Sequence, residues 1–258
     1  VNHCVNDILV QGASPLFFLD YLATGAMDEG VVTEVVAGVA KACGENGCAL
    51  LGGETAQMPD FYAEDEYDLA GFIVGVVERD RVLDGSRVAE GDVLIGLPSS
   101  GLHTNGYTLA RNIVFDQMGL RVEDEMPELG RTVADVLLDV HRSYLRPLTP
   151  LLKADAIHAL VHVTGGGLPG NLPRVLPQGL GAEVDRGSWD PGPLFRLLQR
   201  AGDVDRDEMY RVFNMGVGMI AVVATDRVDG VLETLTRSGE SPWVMGEIVA
   251  GSGVRYAV

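Results

Sequence analysis

Leu50-Leu51-Gly52-Gly53-Glu54-Thr55-Ala56-Gln57-Met58-Pro59, or LLGGETAQMP, is the stretch from which the rest of the chain can be ordered. An apolar segment, 48–51, precedes it with the length and composition of a buried strand. Two glycines follow, and a backbone without Cβ atoms can approach a neighbour or a ligand closely. A strand that ends at Gly52-Gly53 would hold Glu54 and Thr55 at its C-terminal end, where α/β proteins place their chemistry. Taken alone, the same residues also describe a glycine turn with a surface glutamate. Two further segments share this character, 6–15 and 99–107, and they favour the functional reading.

Outward from this stretch the pattern alternates. Residues 1–11 read as a helix closed by Gly12, and 15–23 as a buried strand. Residues 28–46 form an amphipathic helix with Val32, Val35, Val36, Val39, Ala40 and Cys43 at helical spacing, closed by Asn46-Gly47. A strand over 67–77 carries Gly71 and Gly75, and the polar segment 78–92 separates two domains, 1–82 and 83–258. In the second domain, strands are expected at 93–97, 159–163, 181–184, 217–224 and 243–249. Helices are expected at 105–118, 133–154 with an interruption near Pro147 and Pro150, 193–201, 205–213 and 227–238. Strands alternating with helices give an α/β or α+β class.

The chain has 258 residues, of which 47% are hydrophobic and 22% charged, a composition that fits a globular enzyme. Nineteen basic against 37 acidic residues give a formal charge of −18, which repels nucleic acid and anionic membrane surfaces. No run approaches the roughly 18 apolar residues of a membrane-spanning helix. Cys4, Cys43 and Cys48 form neither a CxxC pair nor an even disulfide set, which points to a reducing cytoplasm and to small buried side chains. The chain opens at Val1 inside what reads as a helix, so a preceding N-terminal portion is expected.

Three segments could carry chemistry. Asp7 on the first helix and Glu54 offer two hard carboxylates suited to Mg²⁺ carrying ATP phosphates, although a single helix acid is more often merely exposed. Ser99-Ser100-Gly101-Leu102-His103-Thr104-Asn105-Gly106-Tyr107 follows a strand with two serine hydroxyls, an imidazole and an amide. Such a loop can bind phosphate or a polar substrate. Asn105 there could also cap a helix, and His103 is expected to be accessible for proton transfer or hydrogen bonding. Thr164-Gly165-Gly166-Gly167 offers successive amides as an anion nest, or simply a tight turn. Gly216-Val217-Gly218 matches GxGxxG/A but opens a strand instead of following one, so it is rejected as a dinucleotide loop. Walker A, HExxH and GxSxG motifs are absent.

The segments CVNDILVQGASPLFFLDYLATG (4–25), GCALLGGETAQMP (47–59), YDLAGFIVGVVE (67–78), GDVLIGLPSSGLHTNGY (91–107), VHVTGGGLPGNLPRVLP (161–177) and FNMGVGMIAVV (213–223) together resemble the phosphoribosylformylglycinamidine cyclo-ligase (aminoimidazole ribonucleotide synthetase) family. The likeness runs in register to about residue 248. A looser version is shared with thiamine-monophosphate kinase, selenophosphate synthetase and a hydrogenase maturation protein. The resemblance implies a two-domain homodimer whose N-terminal domains complete a β-barrel across the dimer, with a C-terminal α/β domain. It implies ATP-dependent ring closure of formylglycinamidine ribonucleotide in purine biosynthesis, yielding ADP and phosphate, with ATP and Mg²⁺ required. By position, Asp7, Gly52, Gly53, Glu54 and Thr55 would serve Mg-ATP. Ser99, Ser100, Gly101, His103, Asn105, Gly106, Thr164, Gly165, Gly166 and Gly167 would face the nucleotide substrate, with Asp7 and His103 as catalytic candidates. The family's glycine-rich nucleotide loop lies upstream of the segment at residue 4 and is not in this chain. Another small-molecule kinase of the superfamily, or a non-catalytic nucleotide-binding remnant, are the alternatives.

Overall fold

A computed structural model describes residues 1–257. The chain divides into two compact units, Val1–Val82 and Leu83–Val258.

In the first unit, α1 (Asn2–Leu9) precedes β1 (Ser14–Thr24), α2 (Glu29–Asn46), β2 (Ala49–Gln57) and β3 (Tyr67–Val76). The strands form one sheet in the order β2-β1-β3, with β1 parallel to β2 and antiparallel to β3. Helix α2 starts where the Asp28 carboxylate accepts the Val31 amide at 3.0 Å, a cap worth about 1 kcal/mol. It stops at Gly47, whose φ of 68° costs a glycine nothing. Phe18 of β1 packs with Val39 and Cys43 of α2 and with Cys48, and Cys4, Leu50 and Ile73 join them. All three cysteines are therefore free thiols in or beside one apolar cluster.

One expectation fails here. The strand does not end at Gly52-Gly53 but continues through Glu54 and Thr55 to Gln57. The register shifts opposite Phe18 and Leu19, and Gly53 comes so close to Asp20 that a Cβ would lie 1.8 Å from its carbonyl oxygen. The glycines therefore admit a tight strand pairing, and Glu54 lies beside Tyr21 in mid-strand, not at a strand end.

A short 3-10 turn, Arg79–Arg81, lies at the end of the first unit, and the second begins at Leu83. Its strands are β4 (Val93–Pro98), the hairpin β5 (Glu125–Met126) and β6 (Arg131–Thr132), β7 (Ala159–His162), β8 (Leu180–Val184), β9 (Val217–Val223), β10 (Trp243–Ala250) and β11 (Gly253–Tyr256). Its helices are α3 (Tyr107–Arg111), α4 (Val133–Leu137), α5 (Leu145–Lys153), α6 (Gly167–Asn171), α7 (Pro193–Ala201), α8 (Arg206–Val212) and α9 (Val228–Arg237). Six strands make a sheet in the order β11-β8-β10-β4-β9-β7, antiparallel except for β11 beside β8. All seven residues of β9 are buried, as a strand covered on both faces must be. Leu94, Val161, Ile220 and Val222 face the core built with Ala110, Leu168, Leu198 and Met209 of α3, α6, α7 and α8. By alternation Ile95, Leu160 and Ala221 point the other way and are equally buried, and α5 and α9 pack against each other.

The helix expected over 133–154 is two helices, and the break falls at 138–144 instead of at the prolines. Pro150 is accommodated inside α5. The helix expected from Asn105 begins at Tyr107 and widens into a π-helical turn at Asn112–Gln117.

Candidate functional site

The sheet order explains why distant loops of the second unit meet. Strands β4 and β7 both run antiparallel to β9, which lies between them. The C-terminal ends of β4 and β7 and the start of β9 therefore share one edge, and three motifs emerge there: 99–106, 164–167 and 214–216.

Asn214, buried at 2% exposure, joins two of them. Its Nδ2 donates to the Gly101 carbonyl at 2.8 Å, while its Oδ1 accepts the Gly216 amide at 2.8 Å and lies 3.1 Å from the Ser99 hydroxyl. The Ser99 amide closes the link by donating to the Gly216 carbonyl at 2.9 Å. Asn171, equally buried, holds the glycine turn. Its Nδ2 serves the carbonyls of Thr164, Gly165 and Gly167 at 2.8–3.3 Å, and its Oδ1 lies 3.1 Å from the Thr164 hydroxyl. The Gly167 amide is committed to the Thr164 carbonyl at 3.1 Å, which leaves Gly165 and Gly166 as the amides of any anion nest. Gly166 and Gly167 adopt φ values of 96° and 58°, and a Cβ on Gly167 would lie 2.0 Å from the Tyr210 carbonyl. Gly165 comes up against Asn105, whose Oδ1 would sit 3.2 Å from an added Cβ.

His103 is not accessible, contrary to expectation: it is 2% exposed. Its Nε2 accepts the Ser100 amide at 2.9 Å, so in the neutral ring the proton resides on Nδ1. The ring stacks on His141 with centroids 4.1 Å apart and lies 6.2 Å from the Tyr144 ring. His103 and Thr104 both adopt left-handed backbone, at φ 54° and 60°, a strained pair of the kind that surrounding structure must enforce. Nor does Asn105 cap a helix: Gly106 occupies the cap position of α3, and the Asn105 amide donates to the His103 carbonyl at 2.8 Å. Ser100 donates its hydroxyl to the Val140 carbonyl at 2.7 Å, tying this loop to the 138–144 break. That break is anchored by Arg142, 2.9 Å from Glu240, and by the Tyr144 hydroxyl donating to the Pro98 carbonyl at 2.7 Å. Burial pushes the Tyr144 phenol far above its ordinary range, so it stays a neutral donor.

The Gly216-Val217-Gly218 pattern has a packing reason. A Cβ on Gly218 would lie 1.9 Å from the Tyr144 hydroxyl and 2.7 Å from His103 Cε1. Only glycine lets these two rings rest on β9.

Three functional candidates were not singled out from sequence. His162 ends β7 inside the quoted VHVTGGG segment, and its Nε2 lies 3.0 Å from Nε2 of His141. Asn214 stands in the quoted FNMGVG segment. His141 gave no signal, because its neighbourhood was expected to be helical. In the first unit, Asp7 is half-exposed on α1, 3.2 Å from His3, while its neighbour Asn6 is fully buried. Gly52, Gly53, Glu54 and Thr55 lie along β2, with Glu54 exposed.

Comparison with known proteins places this architecture. Residues 1–77 match the family described as AIR synthase related protein, N-terminal domain, and residues 89–258 the corresponding C-terminal domain. Phosphoribosylformylglycinamidine cyclo-ligase of Sorangium cellulosum is 54% identical over 255 residues, covering 98% of this chain and 73% of that protein. The protein of that name from Bifidobacterium animalis subsp. lactis is 50% identical over 247 residues, covering 95% and 72%. Among solved structures, thiamine-monophosphate kinase of Stenotrophomonas maltophilia superposes with a TM-score of 0.73 at 20% identity, covering 99% of this chain and 75% of that one. The hydrogenase maturation protein HypE of E. coli gives 0.72 at 21%, covering 99% and 74%. Those two likenesses concern the fold, whereas the closer sequence identities and both domain matches establish that this chain belongs to the phosphoribosylformylglycinamidine cyclo-ligase family.

Proposed function

We propose that this protein closes the imidazole ring of formylglycinamidine ribonucleotide, consuming ATP and releasing aminoimidazole ribonucleotide, ADP and phosphate. The observation that carries this reading, beside family membership, is the convergence of 99–106, 164–167 and 214–216 on one sheet edge. Hydroxyls, amides and imidazoles are concentrated there on a rigid base, as a polar nucleotide substrate requires. The chemistry follows from what the ring closure lacks. A formamide oxygen is a poor leaving group, so attack by the amidine nitrogen stalls. Transfer of the ATP γ-phosphoryl to that oxygen lets it depart as phosphate, and such transfers depend on positioning and charge neutralisation.

Asp7 and Glu54 are our candidates for Mg²⁺. Both are carboxylates open to solvent, and Mg²⁺ keeps several waters while taking one or two protein carboxylates plus phosphates. The metal would neutralise phosphate charge. We assign Ser99, Ser100, Gly101, Asn105, Gly106, Thr164, Gly165, Gly166 and Gly167 to the substrate side, and His103 to holding its loop in shape from within.

A homodimer built through the first unit is supported by its sheet. Phe72 and Val76 lie on one face of β3 and are exposed, Phe72 at 63%, and exposed apolar side chains on a sheet face of this kind mark a protein contact surface. A second copy would cover it and extend the sheet toward a barrel. Cytoplasmic residence is supported by the three free thiols. No helix among the described residues is long and apolar enough to cross a membrane.

Substrate carrying ¹⁸O at the formyl oxygen tests the mechanism. The label should appear in inorganic phosphate. Its appearance in water, with ADP still formed, would exclude phosphoryl activation.

A further inference from the structure

The hydroxyls at the shared sheet edge have their hydrogens turned inward. Backbone partners decide which end of each buried asparagine is which. Asn214 Nδ2 faces the Gly101 carbonyl, which can only accept, and its Oδ1 takes the Gly216 amide, which can only donate. The single hydrogen of Ser99 Oγ then has two neighbours, the Gly101 carbonyl at 3.0 Å and Asn214 Oδ1 at 3.1 Å, and both are acceptors. Asn171 Nδ2 is fixed by the carbonyls of Thr164, Gly165 and Gly167, so its Oδ1 is the atom 3.1 Å from Thr164 Oγ1. The Thr164 hydroxyl must donate there. Ser100 Oγ donates to the Val140 carbonyl at 2.7 Å, and its other neighbour, His103 Nε2 at 3.0 Å, already accepts the Ser100 amide.

The backbone follows the same rule. The Ser99 amide donates to the Gly216 carbonyl at 2.9 Å and the Ser100 amide to His103 Nε2 at 2.9 Å. Both amide and both hydroxyl hydrogens of Ser99-Ser100 therefore serve the protein itself. Any further partner of Oγ on Ser99 or Ser100, or of Oγ1 on Thr164, must arrive as a donor. Asn105 adds another acceptor: with Nδ2 turned to the His103 carbonyl at 2.8 Å, its Oδ1 stands beside Gly165. Ser100 is exposed and Ser99, Asn105 and Thr164 are half-buried, so the edge is open while its base, Asn171 and Asn214, is not.

A phosphate dianion offers only acceptor oxygens and would meet lone pairs here. A protonated amidine is the opposite, with donors and no acceptor, like a guanidinium. A ribose hydroxyl does both and needs no acceptor-only surface. We propose that Ser99, Ser100 and Thr164 recognise the amidine N–H groups of the nucleotide as hydrogen-bond acceptors, and that Asn171 is the positioning residue that fixes the Thr164 hydrogen. This rests on the cyclo-ligase reading above. The phosphate of the same nucleotide must find its donors elsewhere.

The wild-type protein supplies the first arm of the test. Isothermal titration of the full-length protein, without ATP, compares formylglycinamidine ribonucleotide with the analogue whose amidine C=NH is an amide C=O. The exchange aims an acceptor at acceptors, so the amide should bind at least about 10²-fold more weakly. Equal affinity for the two would overturn the proposal.

Variants supply the second arm, with ribose 5-phosphate as the probe that carries the sugar and phosphate but no amidine. Thr164→Val should weaken the amidine nucleotide by about tenfold or more, and Thr164→Ser should restore it. Ser100→Ala, at an exposed position, should weaken the same nucleotide with the melting temperature nearly unchanged. Ribose 5-phosphate should bind wild type and these variants alike, and a loss of its affinity matching that of the amidine nucleotide would overturn the assignment. Asn171→Leu frees the Thr164 hydrogen to donate, so the ratio of amidine to amide affinity should fall. A loss of stability alone would not move that ratio, and an unchanged ratio in the folded variant would refute the positioning role. If the wild-type protein binds ribose 5-phosphate but neither nucleotide, the cyclo-ligase reading falls and takes this assignment with it. If amidine and amide bind alike, the assignment falls while that reading stands.

Discussion

Gly218→Ala should destabilise the second unit although it adds a single methyl group. In an open strand the change would stabilise by about 0.5–1 kcal/mol, because glycine is the costlier residue to order. Here the new Cβ would lie 1.9 Å from the Tyr144 hydroxyl, 2.9 Å from Tyr144 Cζ and 2.7 Å from His103 Cε1. Tyr144 is fully buried and its hydroxyl donates to the Pro98 carbonyl at 2.7 Å, so it has no solvent-facing route of retreat. Overpacking of this kind costs about 1–3 kcal/mol. Displacing the hydroxyl leaves a buried carbonyl short of its partner, at a further ~1–3 kcal/mol. The sum, about 2–6 kcal/mol, exceeds the glycine gain. It corresponds to a melting temperature lower by roughly 5–20 °C for a unit of this size.

Calorimetric and circular-dichroism melts of the wild-type and variant proteins measure this. A second arm isolates the cause. Tyr144→Phe deletes the atom 1.9 Å away, so in that background Gly218→Ala should cost about 1–2 kcal/mol less, within the range of coupling seen for residues in contact. A melting temperature that is unchanged or raised in Gly218→Ala would refute the packing account. Strict additivity in the double variant would show that the Tyr144 hydroxyl is not the obstacle.

Asp7→Asn and Glu54→Gln should each lower kcat/KM for ATP by about 2–4 kcal/mol in barrier terms while leaving the melting temperature nearly unchanged, since both side chains reach solvent. Steady-state kinetics at varied ATP and Mg²⁺ decide, and wild-type values in either variant return that residue to a solvated acid. His103→Ala should lose stability, by ~1–3 kcal/mol for the orphaned Ser100 amide, along with turnover. Lost turnover at full stability would instead favour direct proton transfer by His103. Burial, with Cys48 alongside, pushes the Cys43 thiol from 9.0 up to about 11. Its stabilising contribution is thus complete below pH 9 and disappears as the pH rises through 11. The native protein should accordingly leave Cys43 unlabelled by iodoacetamide at pH 8, with labelling after urea unfolding. Rapid labelling of the folded protein, read by peptide mass, would contradict this.

The sequence alone carried the elements whose signals are local. Helix α2 was legible from its apolar spacing and its Asn46-Gly47 stop, and β9 from an apolar run that opened where a dinucleotide loop could not. The motif-bearing loops at 99–106 and 164–167 were visible because glycine and hydroxyl clusters disrupt a periodic pattern. The sequence did not carry the pairing of strands. Glycines at 52–53 looked like a strand end, because nothing local records that Asp20 would press against Gly53 from the next strand. The break at 138–144 was hidden within a helical pattern, since its cause is remote: Ser100, Pro98 and Glu240 supply the partners that hold it open. Only the antiparallel placement of β4 and β7 on either side of β9 brings Ser99, Asn171 and Asn214 to one edge. Only that placement, too, sets His103, His141 and His162 against one another. Periodicity is a property of neighbours along the chain, whereas a proton-bearing contact at 3.0 Å is decided by which strands lie side by side.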